Sequence, residues 1–136
     1  MRVDRERPIH LAVLHYLRLK FPGCVIHHSP NELALKGREV AMQIAKAKHL
    51  GMAVGFPDLV AFTAHGALFF EVKAEGNYLT PEQKAVGEKL TAAGFRHAVV
   101  RSVDDVDEAL EAWGWHERFL QDGPRRVGFR HLGIEP

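Results

Sequence analysis

Cysteine is all but absent from this 136-residue chain. Cys24 stands alone, which excludes an intramolecular disulfide and fits a reducing, cytoplasmic setting. It lies in an apolar run and is expected to be a buried, inert thiol. No apolar run approaches the ~18 residues that a spanning helix needs, so no membrane is expected as a partner. The opening MRVDRERP is charged and lacks the apolar segment of a secretory leader. An excess of one charge is missing as well: Lys plus Arg number 18, Asp plus Glu 17, and the net charge is +1. That excludes a global basic field, so a polyanionic partner must be met by local clusters. There are no repeats and no low-complexity segments. What is present suits one domain, which at this length removes roughly 68% of its unfolded surface from water and needs no staples.

Periodicity and turn chemistry predict eight elements. Ile9, Ala12, Val13, Tyr16 and Leu17 recur at helical spacing over 8–20, with Pro8 in the first turn and Pro22-Gly23 as the stop. A short strand follows over 24–28 and breaks at Ser29-Pro30-Asn31. Residues 38–50 predict a second helix, with Val40, Ala41, Ile44, Ala45 and Leu50 on one side. Strands are expected over 58–63 and 67–73, joined by a turn at Ala64-His65-Gly66. Thr80, Pro81 and Gln83 form a capping box with proline at the first helical position, and that helix runs to Ala93 before Gly94. A strand over 97–101 and a helix over 103–113, capped by Ser102, complete the order αβαββαβα. This is an α/β fold with a central mixed sheet flanked by helices.

The segment GFPDLVAFTAHGALFFEVKAEG holds the chemistry. Charged groups set in strand-like runs are costly unless paired or bound to a metal. Strand alternation puts Glu71 and Lys73 on one face and Val72 on the other. A two-residue turn at His65-Gly66 places Asp58 opposite Lys73, with Glu71 diagonal to it. A turn centred between residues 64 and 65 places Asp58 opposite Glu71. Both even-length turns put the three on one face, whereas a three-residue turn does not unless a bulge restores the register. Two converging carboxylates repel, and a hard divalent cation removes the repulsion. Mg²⁺ takes one or two carboxylates, keeps several waters and adds phosphate oxygens, and the Val72 carbonyl offers a further oxygen. Lys73 is then placed to assist an attacking water or to offset charge on a phosphate. Metal-assisted phosphodiester hydrolysis is the reaction class that needs these parts. The plain alternative is a surface strand bearing a Glu–Lys pair.

Gly55-Phe56-Pro57-Asp58, Glu71-Val72-Lys73 and Leu79-Thr80-Pro81-Glu82-Gln83 together resemble the VRR-NUC nucleases of the PD-(D/E)XK superfamily. His28-Ser29-Pro30-Asn31-Glu32 and Val99 to Asp105 resemble flanking segments of the same family, so the likeness runs from about residue 27 to 113. It implies a PD-(D/E)XK nuclease-like core over 1–113 followed by a basic extension over 114–136. It implies Mg²⁺, with Mn²⁺ able to substitute. Asp58, Glu71 and Val72 would hold the metal, Lys73 would be the catalytic lysine and Gln83 a helix glutamine near the site. Glu32 is the candidate for the superfamily's first acidic residue. The implied activity is that of a metal-dependent, structure-specific DNA endonuclease acting as a homodimer on branched DNA such as Holliday junctions. A general or restriction-type duplex nuclease on the same core, or a module that binds branched DNA without cutting, are the rival readings. Phe56 stands where the family often has a small or β-branched residue, a departure expected to alter loop packing.

Other residues carry two readings each. Gln83 is also a capping residue, and the two roles are expected to compete for one side chain. His28 lines the cleft and touches phosphate, or is a plain edge histidine. Lys36, Arg38, Lys46, Lys48 and His49 are candidates for DNA-backbone contacts, or form a solvated helix face. Arg125 and Arg126, with Phe129, Arg130 and His131, clamp DNA or belong to an extension. Asp104, Asp105, Asp107 and Glu108 load the last helix's start with acid, which suits its dipole and places it away from DNA.

Overall fold

The computed structural model describes residues 4–30 and 38–115. Its elements run α1 (Glu6–Lys20), β1 (Val25–His28), α2 (Arg38–His49), β2 (Leu59–Thr63), β3 (Gly66–Val72), α3 (Pro81–Ala92), β4 (Arg96–Val100) and α4 (Val103–Ala112). The order αβαββαβα is the expected one. The four strands lie side by side in chain order. β1/β2 and β2/β3 are antiparallel, and β3/β4 is parallel across the α3 connection, so the sheet is mixed.

The hairpin settles the register. Leu59 pairs with Phe70 and Thr63 with Gly66, leaving Ala64-His65 as the loop. The Thr63 hydroxyl ties the loop, accepting from His65 N at 3.2 Å and donating to Gly66 O at 2.7 Å. Of the two even registers this is the one that sets Asp58 across from Glu71.

Alternation divides the sheet's two faces. Leu59, Ala61, Leu68, Phe70 and Val72 meet Val13 and Leu17 of α1 and Val106 and Leu110 of α4 in one buried cluster. Trp113 and Trp115 pack against that cluster, as does Cys24, which is half-buried rather than fully enclosed. The opposite face carries Val60, Phe69 and Glu71 under α3. There Phe56 and Phe95 both meet the Phe69 ring edge-on. Packing on Phe69 is the consequence of the unusual Phe56.

Two further expectations need correction. Helix α1 starts two residues before Pro8. The Asp4 carboxylate accepts from the N–H groups of Glu6 and Arg7, both at 3.1 Å, and Pro8 has no N–H to satisfy. The chain can therefore turn helical ahead of the proline. Helix α2 forms as expected but buries no residue fully. Val40, Ile44 and Ala47 make a half-buried stripe, whereas Ala41, Ala45 and Leu50 are exposed. Periodicity gave the helix; it carried no information on whether a partner covers it.

Candidate active site

One end of the sheet gathers the charged residues. The C-terminal ends of β1 and β3 and the N-terminal end of β2 point the same way, since β2 runs antiparallel to both. This places His28, Asp58, Glu71 and Lys73 at one edge, with the starts of α1 and α3 beside it. Open α/β sheets present ligand sites at the carboxyl ends of their parallel strands. A groove of ≈ 470 Å³ opens here, lined by Glu6, His10, His28, Asp58 and Val72 among others.

Asp58 is fixed by the backbone on both sides. Its Oδ2 accepts from Val72 N at 2.8 Å, and its carbonyl accepts from Ser29 N at 2.9 Å. Proline at 57, buried, stiffens the approach. Glu71 is 1% exposed. Its Oε1 accepts from Gln83 Nε2 at 3.1 Å, and its Oε2 is buried without a hydrogen-bond donor. Burial first, then the facing Asp58 and the charge of Glu6, push the Glu71 carboxyl up to about 9, against a smaller lowering by Lys73. Lys73 is 8% exposed. Its N–H joins the β3/β4 ladder at Val100 O, 3.0 Å away, and it forms no ion pair within 4.0 Å among the described residues. The loop that follows is pinned where it leaves the site: Arg101 Nη1 donates to Ala74 O at 2.9 Å.

Gln83 does not have to choose between its two roles. Its Oε1 accepts from Thr80 N at 2.9 Å as the capping box requires, while its Nε2 donates to Glu71. A primary amide has a separate acceptor and donor end, so both bonds coexist.

The sequence reading missed Glu6. Asn77 Nδ2 donates to Glu6 Oε1 at 3.0 Å, and Arg5 Nη2 donates to Asn77 Oδ1 at 3.3 Å. Glu6 is thus held in the groove, where its charge raises the proton affinity of Glu71. The signal was the helix boundary: starting α1 at Pro8 leaves Glu6 outside the helix, and starting it after Asp4 puts Glu6 four residues before His10 on the same face. His10 meets His28 edge-on, with ring centroids 4.7 Å apart.

The candidates on α2 stand apart from this edge. Arg38, Lys46 and Lys48, with His49, are exposed on α2 and none lines the groove. Glu32, Lys36, Arg125 and Arg126 lie outside the described residues.

Among the described residues no three or more His, Cys, Asp or Glu side chains converge closely enough to hold a metal. Asp58 and Glu71 do face each other, and one buried Glu71 oxygen has no donor. Two carboxylates and a carbonyl suit a hard cation that keeps much of its water, so the donors fit Mg²⁺ or Mn²⁺.

The mixed sheet with helices on both faces is an α/β nuclease-like core. The VRR-NUC domain profile matches residues 5–104, and the chain belongs to that family. It is similar to a solved VRR-NUC domain protein, at 27% identity over 82% of this chain and 89% of that one, with a TM-score of 0.61. No curated protein matches it. The family gives a nuclease-type function. No helix among the described residues is long and apolar enough to cross a membrane.

Proposed function

We propose that this protein is a Mg²⁺-dependent, structure-specific DNA endonuclease that hydrolyses phosphodiester bonds in branched DNA such as Holliday junctions, working as a homodimer. The observation that carries the metal-dependent part is the facing pair Asp58 and Glu71, with a buried Glu71 oxygen that has no donor, beside Lys73. Asp58, Glu71 and the Val72 carbonyl would hold the cation, with Mn²⁺ as a substitute. When bound, it would neutralise the paired carboxylates and polarise the phosphodiester.

The chain's own residues do the rest. The Val72 N–H orients Asp58, and Gln83 orients Glu71, so neither carboxylate must reorganise. Lys73, largely shielded from water, positions the attacking water and offsets negative charge on the phosphate. Asn77 holds Glu6 at the groove's rim. His28 and the basic residues of α2, with Lys36, Arg125 and Arg126, supply contacts to the DNA backbone. Branched DNA is favoured by the family likeness.

Cleavage of a labelled four-way junction, a flap and a plain duplex, each with Mg²⁺ and with Mn²⁺, tests this reading. Junction cleavage is expected, with Lys73→Ala and Asp58→Ala losing on the order of 10³-fold in rate while keeping the native circular dichroism. Full activity in either purified variant would overturn the site. Equal cutting of all three substrates would overturn the junction preference, and a monomer at working concentration by sedimentation would overturn the homodimer.

A further inference from the structure

We propose that Gly55 is a positioning residue for Glu71, acting through the first turn of α3. The backbone at Gly55 has φ +87°, a region L side chains rarely adopt. Space decides more than conformation here. A Cβ at this position would stand 2.5 Å from Glu82 C, 2.6 Å from Gln83 N and 2.6 Å from Glu82 O. All three are backbone atoms of a single peptide group, so no flexible side chain can yield.

That peptide group is the one the capping box grips. Gln83 N donates to Thr80 Oγ1 at 3.2 Å, and the Gln83 amide is held at Thr80 N and at Glu71 Oε1. With both ends of the side chain engaged, a shift of the 82–83 peptide carries over to Glu71. On its other side Gly55 leads through buried Pro57 to Asp58. The bare face of Gly55 therefore joins two supports: the loop that carries Asp58 and the helix turn that orients Glu71. Their contact sets the spacing of the two carboxylates.

Gly94 provides the control. It lies just past the far end of α3 with φ +93°, and a Cβ there would meet nothing within 4 Å. Gly94→Ala carries the same kind of backbone strain without the contact.

The inference rests on the nuclease reading only for its kinetic readout. Three measurements are made on Gly55→Ala and Gly94→Ala, at a temperature where both are folded. The first is the NMR signal of the Gln83 side-chain amide, expected to move to the free-amide position in Gly55→Ala alone. The second is Mn²⁺ binding without DNA, followed by electron paramagnetic resonance and expected to weaken about tenfold in Gly55→Ala alone. The third is cleavage, with kcat expected to fall on the order of 100-fold and KM for DNA to change little. Combining Gly55→Ala with Gln83→Leu should give losses well short of the product of the two. An unchanged Gln83 amide signal with kcat equal to that of Gly94→Ala, or fully multiplicative losses, overturns the proposal. If Gly55→Ala does not fold, Thr80→Ala releases the same turn from its other side. A Gln83 amide signal unmoved in that variant shows that the turn does not position Glu71, and overturns the proposal too. Should the wild type cut no DNA, the function fails while the amide and Mn²⁺ readouts still judge Gly55.

Discussion

Glu71 is a carboxylate enclosed by protein, facing a second one. Its folded-state value of about 9 lies above the 4.5 of an ordinary glutamate, and burial is the main cause. The folded metal-free protein therefore holds that proton more tightly than the unfolded chain does. Its stabilising effect is complete below 4.5 and is lost as pH rises toward about 9. Thermal unfolding in chelator should show a midpoint that falls across this window, and Glu71→Gln should flatten the slope. A cation acts in the opposite sense, because it requires the ionised form. Metal binding at neutral pH is expected to release a proton, seen as a binding heat that varies with the buffer's ionisation enthalpy. The sequence revealed this pair because alternation assigns faces whatever the even register. It did not reveal Glu6, whose hydrogen bond to Asn77 spans 71 positions and leaves no local pattern.

At the scale of elements, α3 and α2 behave differently. Helix α3 was legible to within a residue because its start is written in local chemistry: Thr80, Pro81 and Gln83 satisfy the first turn's donors. It also packs closely on β4, where a Cβ on Gly87 would meet His97 Cε1 at 2.7 Å. Burial there lowers the proton affinity of His97. Helix α2 keeps Arg38, Lys46, Lys48 and His49 in water. Exposed cations contribute to DNA binding by displacing counterions rather than by fixed geometry. Replacing Arg38 and Lys46 together by Ala should weaken binding to all DNA shapes alike and reduce the log–log salt slope by roughly one per residue. Fluorescence anisotropy across a salt series measures both. A loss confined to one DNA shape would mean that α2 reads structure instead.

For the whole molecule, the fold was legible because its elements are punctuated clearly and its hairpin is short. The expected and observed boundaries differ mainly at α1, where a side chain before the helix moved its start. The α1–α4 packing was not legible. It rests on the shared apolar cluster and on a hydrogen bond from Tyr16 to Asp107, which joins with burial in pushing the Tyr16 phenol up to about 12. A cation at the opposite edge should stabilise the entire domain by linkage, about 2.7 kcal/mol at one hundred times its dissociation constant. Differential scanning calorimetry with and without Mg²⁺ should show this rise in the wild type and none in Asp58→Ala.

The parallel pairing of β3 with β4 has a consequence for the timing of synthesis. Glu6, Asp58, Glu71 and Lys73 all leave the ribosome before Val100, whose carbonyl receives the Lys73 N–H. Until β4 arrives, β3 is an unfinished edge and the Lys73 N–H lacks its ladder partner. A nascent chain thus carries every acidic group of the site without the geometry to use them. Premature termination ahead of Arg96 is expected to yield an inert fragment, so half-made copies present no hazard to surrounding nucleic acid.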